Sequence, residues 1–272
     1  MTTNQKANPI GIFDSGIGGL TLTDAVVRKL PNENIIYFGD TAHMPYGEKS
    51  TSAIQSYSVK IADMLLKQNC KLILIACYSA TSAAYDIVKE YVGNKAIVMN
   101  VIDPMVEHLH KNYADKNLGL IGTRQTVNSN IYKKKLDQLN DGAKLTSLAT
   151  NLLASAIEEF GNKKIIDGIL DEYLSHSSLK DIDALILACT HYPVVKSKIA
   201  KFYKNKTEVI DPSEIVAKTL KKELTESNLL NNNKKGQKHF YVSDYTESFA
   251  NGAKIFFHED INLEYYPLWD QD

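Results

Sequence analysis

Apolar residues along this chain fall into short unbroken runs, separated by longer stretches in which they recur every three or four positions. The runs Ile10–Phe13, Asn34–Gly39, Lys71–Cys77, Ala96–Val101, Leu118–Gly122, Lys144–Ala149, Ala184–Cys189 and Val209–Ile210 read as strands. Strands apolar on both faces belong in parallel sheets covered by helices. Between them, Leu20, Leu22, Val26, Val27 and Leu30 share one helical face closed by Pro31, and Ile54, Tyr57, Ile61, Met64 and Leu65 share another. Helices are also predicted near Ala80–Tyr91, from Asp103-Pro104, over Val127–Leu139, Leu152–Phe160, Ile165–Ser175 and Val194–Phe202, and on to Leu224. Thr123–Thr126 reads as a turn and Asn231–Gly236 as a polar connector; Phe240–Ser243, Phe249–Phe257 and Ile261–Tyr266 follow as strand, helix and strand.

Strands alternating with helices throughout predict an α/β protein with mainly parallel sheets. The chain crosses near Asn100–Asp103 and returns at Asp211-Pro212. That divides it into two pseudo-equivalent α/β domains, residues 1–100 with 211–272 and residues 101–210, facing each other across a cleft.

One sequence echo supports the pairing. Leu72-Ile73-Leu74-Ile75-Ala76-Cys77-Tyr78-Ser79 is matched by Ala184-Leu185-Ile186-Leu187-Ala188-Cys189-Thr190-His191. Each half therefore ends one apolar strand in a thiol, at the carboxyl end where open α/β sheets bind ligands. Asp14-Ser15-Gly16-Ile17-Gly18-Gly19 links a strand to a helix start, a place where free N–H groups face an anion, although it is neither a GxGxxG fingerprint nor a P-loop. In the loop from Asp40 to Gly47, Pro45 and Gly47 restrict and shape the backbone.

Composition narrows the function. With 272 residues, 44% hydrophobic and 23% charged, the chain is an ordinary soluble type, and a net charge of −1 gives no footprint for nucleic acid or an anionic membrane. The polar start Met1–Lys6 has no signal region and no apolar run reaches the roughly 18 residues of a membrane span. A cytoplasmic location is predicted. The three cysteines lack CxxC spacing, which argues against a disulfide framework or a zinc ribbon. Cys70 has no polar companions and reads as a small buried hydrophobe. Cys77, Cys189 and His191 could supply three metal ligands, but not at the usual spacings, so neither a metal nor another cofactor is expected.

Two thiols without a metal suggest acid/base work on opposite faces of one carbon, one removing a proton and the other returning one. A cysteine hydrolase remains open, although a nucleophile needs only one thiol. Each thiol opens a helix beside hydroxyls (Ser79 and Thr81; Thr190), a setting that lowers a thiol pKa from about 8.5 toward neutrality. Asp14 and His191 are candidates for holding or relaying the thiol protons.

Ile12–Leu20, Gly39–Gly47, Ala76-Cys77 and Ala188–Pro193 together resemble the glutamate racemases of the aspartate/glutamate racemase superfamily, with further likeness at Phe240–Ser243. The resemblance implies cofactor-independent interconversion of L- and D-glutamate, the D-isomer going to peptidoglycan. It implies that Cys77 is the base for D-glutamate, Cys189 the base for L-glutamate, and Asp14 and His191 their companions. Ser15, Tyr46, Gly47, Tyr78, Ser79 and Thr190 would line the substrate site, with Thr123, Thr126 and Glu158 as looser matches. Tyr78 and Ser79 stand where the family has Asn and Thr, which leaves open a racemase for aspartate or another amino acid, or a catalytically weak homologue with a binding role. A second copy of the chain is the partner that base rates suggest.

Overall fold

The computed structural model describes residues 3–160, 163–232 and 235–270. Its strands are β1 (Ile10–Asp14), β2 (Ile35–Gly39), β3 (Leu72–Ile75), β4 (Ile97–Asn100), β5 (Asn117–Gly122), β6 (Lys144–Ala149), β7 (Ala184–Ala188), β8 (Glu208–Ile210), β9 (Lys238–Val242) and β10 (Leu263–Tyr265). They form two sheets, ordered β10-β9-β2-β1-β3-β4 and β6-β5-β7-β8. Every pairing is parallel. Without the two tail strands the orders match, β2-β1-β3-β4 against β6-β5-β7-β8, and the registers match too: Phe13 faces Ile75 as Ile121 faces Leu187. In each sheet the chain goes first to one side of the opening strand and then to the other. The resulting switch points lie between β1 and β3 and between β5 and β7, and the two thiols follow β3 and β7.

Alternation of side chains assigns the core. Ile10, Ile12, Leu72 and Leu74 face a cluster with Leu20, Val26, Val216 and Leu220, from the helices Leu20–Lys29 and Ser213–Glu226. Phe13, Ile73 and Ile75 face Ile54, Ile61, Leu65, Ala84 and Val88, from the helices Thr51–Lys67 and Tyr78–Val92. Each such aliphatic side chain, taken fully out of water, contributes about 1.5–3 kcal/mol. The first cluster continues through Tyr78 and Cys189 into the second sheet, so the two halves share one apolar core.

Several elements differ from the sequence pattern. The first thiol strand stops at Ile75, and Cys77 is the N-cap of a helix that starts at Tyr78 rather than Ala80. Thr123 caps a short helix, Arg124–Asn128, and Asn130 in the left-handed region (φ 54°) separates it from Ile131–Leu139. Leu153–Ser155 passes into a π-helical turn, Ala156–Phe160. Tyr192–Val195 is a 3-10 turn before the helix Lys196–Phe202, with Pro193 in its first turn, where no N–H is needed. Asn233 and Lys234 of the polar connector lie outside the described residues.

Candidate active site

Both thiols are buried and free. The Cys77 sulfur accepts from the Ala80 N–H at 3.4 Å and donates to Ser15 Oγ at 3.7 Å. Asp14, at the end of β1, is fully buried; its Oδ2 accepts from the N–H groups of Gly19 (2.9 Å) and Gly16 (3.3 Å), while Oδ1 has no partner. Gly19 is required for this turn, since a Cβ there would sit 2.5 Å from the Asp14 Cβ. Burial raises the Asp14 carboxyl, against the His191 charge and the loop N–H groups. Burial, and then the Asp14 charge, push the Cys77 thiol far up. The depressed pKa predicted for Cys77 is thus corrected: loss of water and a neighbouring carboxylate outweigh the helix N-terminus.

Cys189 has a different companion. Its sulfur lies 3.7 Å from His191 Nδ1, and His191 Nε2 lies 3.2 Å from Glu158 Oε2. Burial disfavours the imidazolium, but Cys189 and Glu158 outweigh it and hold His191 well above its ordinary value. As an imidazolium the ring donates one N–H to each neighbour. Glu158 sits on the π-helical turn, and its Oε1 has no partner.

The thiols meet at one cavity. Ser15, Tyr46, Gly47, Cys77, Tyr78, Ser79, Thr123, Cys189, Thr190 and His191 all line it, and its room for water centres is about 40 Å³. About 10–15 Å³ of such room holds one water, so the cavity takes only a few. Ties across the cleft explain its size: Ser79 and Thr123 share a 2.8 Å hydrogen bond, Thr21 Oγ1 donates to the Thr190 carbonyl at 2.8 Å, and Arg124 pairs with Glu48 at 3.0 Å. Asp14 and Glu158 lie behind the wall, acting on the thiol and the imidazole. Thr126 is also behind it, bonded to Thr123 at 3.0 Å.

The chain has counterparts among known proteins. The profile of the Asp/Glu/Hydantoin racemase family matches residues 10–220. The chain belongs to that family. It is 36% identical to glutamate racemase 3 of Caldanaerobacter subterraneus over 93% of this chain and 92% of that one. It is 37% identical to the glutamate racemase of Fusobacterium nucleatum over 97% of this chain and 99% of the other. The crystal structure of glutamate racemase from Francisella tularensis in complex with D-glutamate superposes with a TM-score of 0.90 at 38% identity, covering 97% of this chain and 99% of that one.

In this racemase-family chain Tyr78 lines both the thiol cavity and a smaller one of about 10 Å³, lined also by Thr21, Leu22, Cys189, Ser213 and Val216. Burial, and then the charges of Tyr132, Asp211 and Cys189, push its hydroxyl well above the ordinary tyrosine value.

Two participants escaped the sequence reading. Asp40 is fully buried and accepts from Tyr46 Oη (2.6 Å), Ser243 Oγ (2.7 Å), Trp269 Nε1 (2.8 Å) and His43 Nδ1 (3.1 Å). It thereby ties the Tyr46 loop to the chain's tail. Its sequence signals were its place after the β2 run and inside the Gly39–Gly47 segment, neither of which gave it a role. Phe256 packs on His191, and nothing in the sequence pointed to it. Among the described residues no group of three or more His, Cys, Asp and Glu is placed to hold a metal, and no helix is long and apolar enough to cross a membrane.

Proposed function

We propose that this chain interconverts L- and D-glutamate with two thiols and no cofactor. Cys189 takes the α-proton of L-glutamate and Cys77 returns a proton to the opposite face; for D-glutamate the roles reverse. The observation that carries this reading is the pair of thiols lining one cavity from topologically equivalent strand ends. Their companions differ in the sense the reaction needs. His191, held as an imidazolium by Cys189 and Glu158, stands beside Cys189, while Cys77, raised by burial and Asp14, keeps its proton. On the return path Asp14, with its free oxygen, receives the Cys77 proton.

Charge developing on the α-carbon spreads into the substrate carboxylate. At the start of the helix Tyr78–Val92 that carboxylate meets backbone N–H groups and the positive end of the helix dipole. Ser15, Tyr46, Gly47, Ser79, Thr190 and His191 bind the remaining polar groups. Residues 1–100 with 211–272 and residues 101–210 act as the two units that close on substrate. The D-isomer serves peptidoglycan synthesis in the cytoplasm, and a second copy of the chain is the partner.

Glutamate is larger than the roughly three or four waters the cavity holds. Admission therefore requires the halves to part or the Tyr78 ring to move. Tyr78 and Ser79, where the family has Asn and Thr, motivate a second reading, racemisation of the smaller aspartate. Circular dichroism of each enantiomer of both amino acids, before and after dialysis against EDTA, tests both. Decay of both glutamate signals to zero, unchanged by EDTA, is expected. Decay with aspartate alone would transfer the assignment to the second reading, and loss of activity that zinc restores would contradict cofactor independence.

A further inference from the structure

His191 must keep Nδ1 toward Cys189 if it is to act on that thiol. Its strong contact, to Glu158, is through Nε2 at 3.2 Å; the contact to sulfur is long, at 3.7 Å. One good bond at Nε2 leaves the ring free to swivel and take Nδ1 away. Two further contacts prevent this, and both come from the half that does not carry His191.

The first is Gly18, where a Cβ would stand 2.4 Å from His191 Cε1, so bare backbone lies against that edge of the ring. The second is Phe256, 2% exposed, whose ring centroid is 5.3 Å from that of His191 at an interplanar angle of 83°. Phe256 ends the helix Glu247–Phe256, between β9 and β10 of the first sheet. That helix is anchored within its own half. Phe257 packs edge-on against Phe240 at 5.2 Å, and His258 donates its backbone N–H to Asp24 Oδ1 (3.3 Å) and meets Oδ2 through Nδ1 (2.9 Å). An aromatic ring is rigid and holds its geometry at little entropic cost.

We propose that Phe256 is a positioning residue, supplied across the cleft to fix the plane of the His191 ring so that Nδ1 faces Cys189 only when the halves are together. This rests on the two-thiol reading above, with His191 as the companion of Cys189. The His191–Cys189 contact is then assembled by closure. The charged and titratable groups that face His191 are Cys189, Glu158 and, through its charge, Asp14; Gly18 and Phe256 add none. Phe256 therefore acts by geometry.

The test alkylates Cys189 with iodoacetamide in the whole chain, followed by peptide mapping with Cys77 as the internal control. The Cys189 rate at neutral pH relative to that at about pH 10 reports its ionised fraction independently of access. In the parent chain Cys189 should react faster than Cys77 at neutral pH. Phe256→Ala should collapse the Cys189 ratio, leave Cys77 unaffected and lower kcat about tenfold or more with KM within about twofold, since misplacing a reacting group by about 1 Å costs up to a hundredfold. Phe256→Leu, which keeps bulk and covers the case of an unfolded alanine variant, should restore part of both. A Phe256→Ala or Phe256→Leu protein with an unchanged Cys189 ratio and unchanged kcat overturns the positioning role. A parent chain in which Cys189 has no advantage over Cys77 overturns the His191 reading itself, and this proposal with it.

Discussion

Cys77 and Cys189 stand at matching strand ends, yet one has a carboxylate beside it and the other an imidazolium. His191 is held above 6.5 in the fold by Cys189 and Glu158, against burial. A group raised in the folded state stabilises fully below its unfolded value, and that contribution is lost as pH climbs through the folded value. Activity from L-glutamate should fall over the same alkaline window, where the imidazolium loses its proton. Glu158→Gln removes one of the two groups holding that proton, so the alkaline limb of kcat/KM should move to lower pH; an unmoved limb would exclude Glu158 as the support. Tyr78 gives the second prediction at this scale. Its ring is 6% exposed and belongs to the core, so Tyr78→Asn should lower unfolding stability by about 3 kcal/mol, as for other large-to-small core changes. It also enlarges the cavity, and kcat/KM for glutamate should rise several-fold in protein that remains folded. Urea unfolding and circular dichroism together check both signs.

The loop that carries Tyr46 and Gly47 owes its shape to one carboxylate. Asp40 accepts four donors, and two of them, Ser243 and Trp269, come from beyond β9. In Asp40→Asn an amide would turn N–H groups toward some of those donors, leaving buried partners unmet at about 1–3 kcal/mol each. Substrate KM should rise about tenfold through the loosened Tyr46, and the melting temperature should drop; an unchanged KM would show that the loop keeps its shape without Asp40. Elements of this kind mark the limit of what the sequence discloses. The thiol strands were legible because an apolar run ending in Cys beside hydroxyls, with His191 added in the second, sets reactive groups at the carboxyl end of a buried strand. The break at Asn130 and the π-helical turn under Glu158 were not, because both are set by tertiary packing rather than periodicity. The pKa of Cys77 was misjudged for a related reason: helix starts are visible in a sequence, whereas the depth of burial and the reach of Asp14 are not. Phe256 meets His191 across 65 residues of chain and two sheets, which no local pattern encodes.

At the scale of the molecule, the two ends of the first sheet have separate tasks. The carboxyl end carries Asp14 and Cys77. At the other end Lys71 is buried with Glu33 at 2.6 Å and also donates to the Leu229 carbonyl at 3.0 Å. Lys71→Met leaves the Glu33 charge buried without its partner and should cost about 3–5 kcal/mol of stability. Because the pair lies behind the strands, kcat in the folded fraction should stay at the parent level; a large loss of kcat would mean that the two ends are coupled. Duplicated topology does the opposite at the carboxyl ends, where it brings two thiols to one cavity from two sheets. Racemisation of each enantiomer in D2O tests that arrangement most directly, with the α-position of both enantiomers followed by mass spectrometry at early times. Two thiols on opposite faces predict that D-glutamate formed from L-glutamate carries deuterium while the remaining L-glutamate does not, and the reverse from D-glutamate. Deuterium entering the recovered starting enantiomer as fast as racemisation proceeds would show one group serving both faces, and would contradict the two-thiol site.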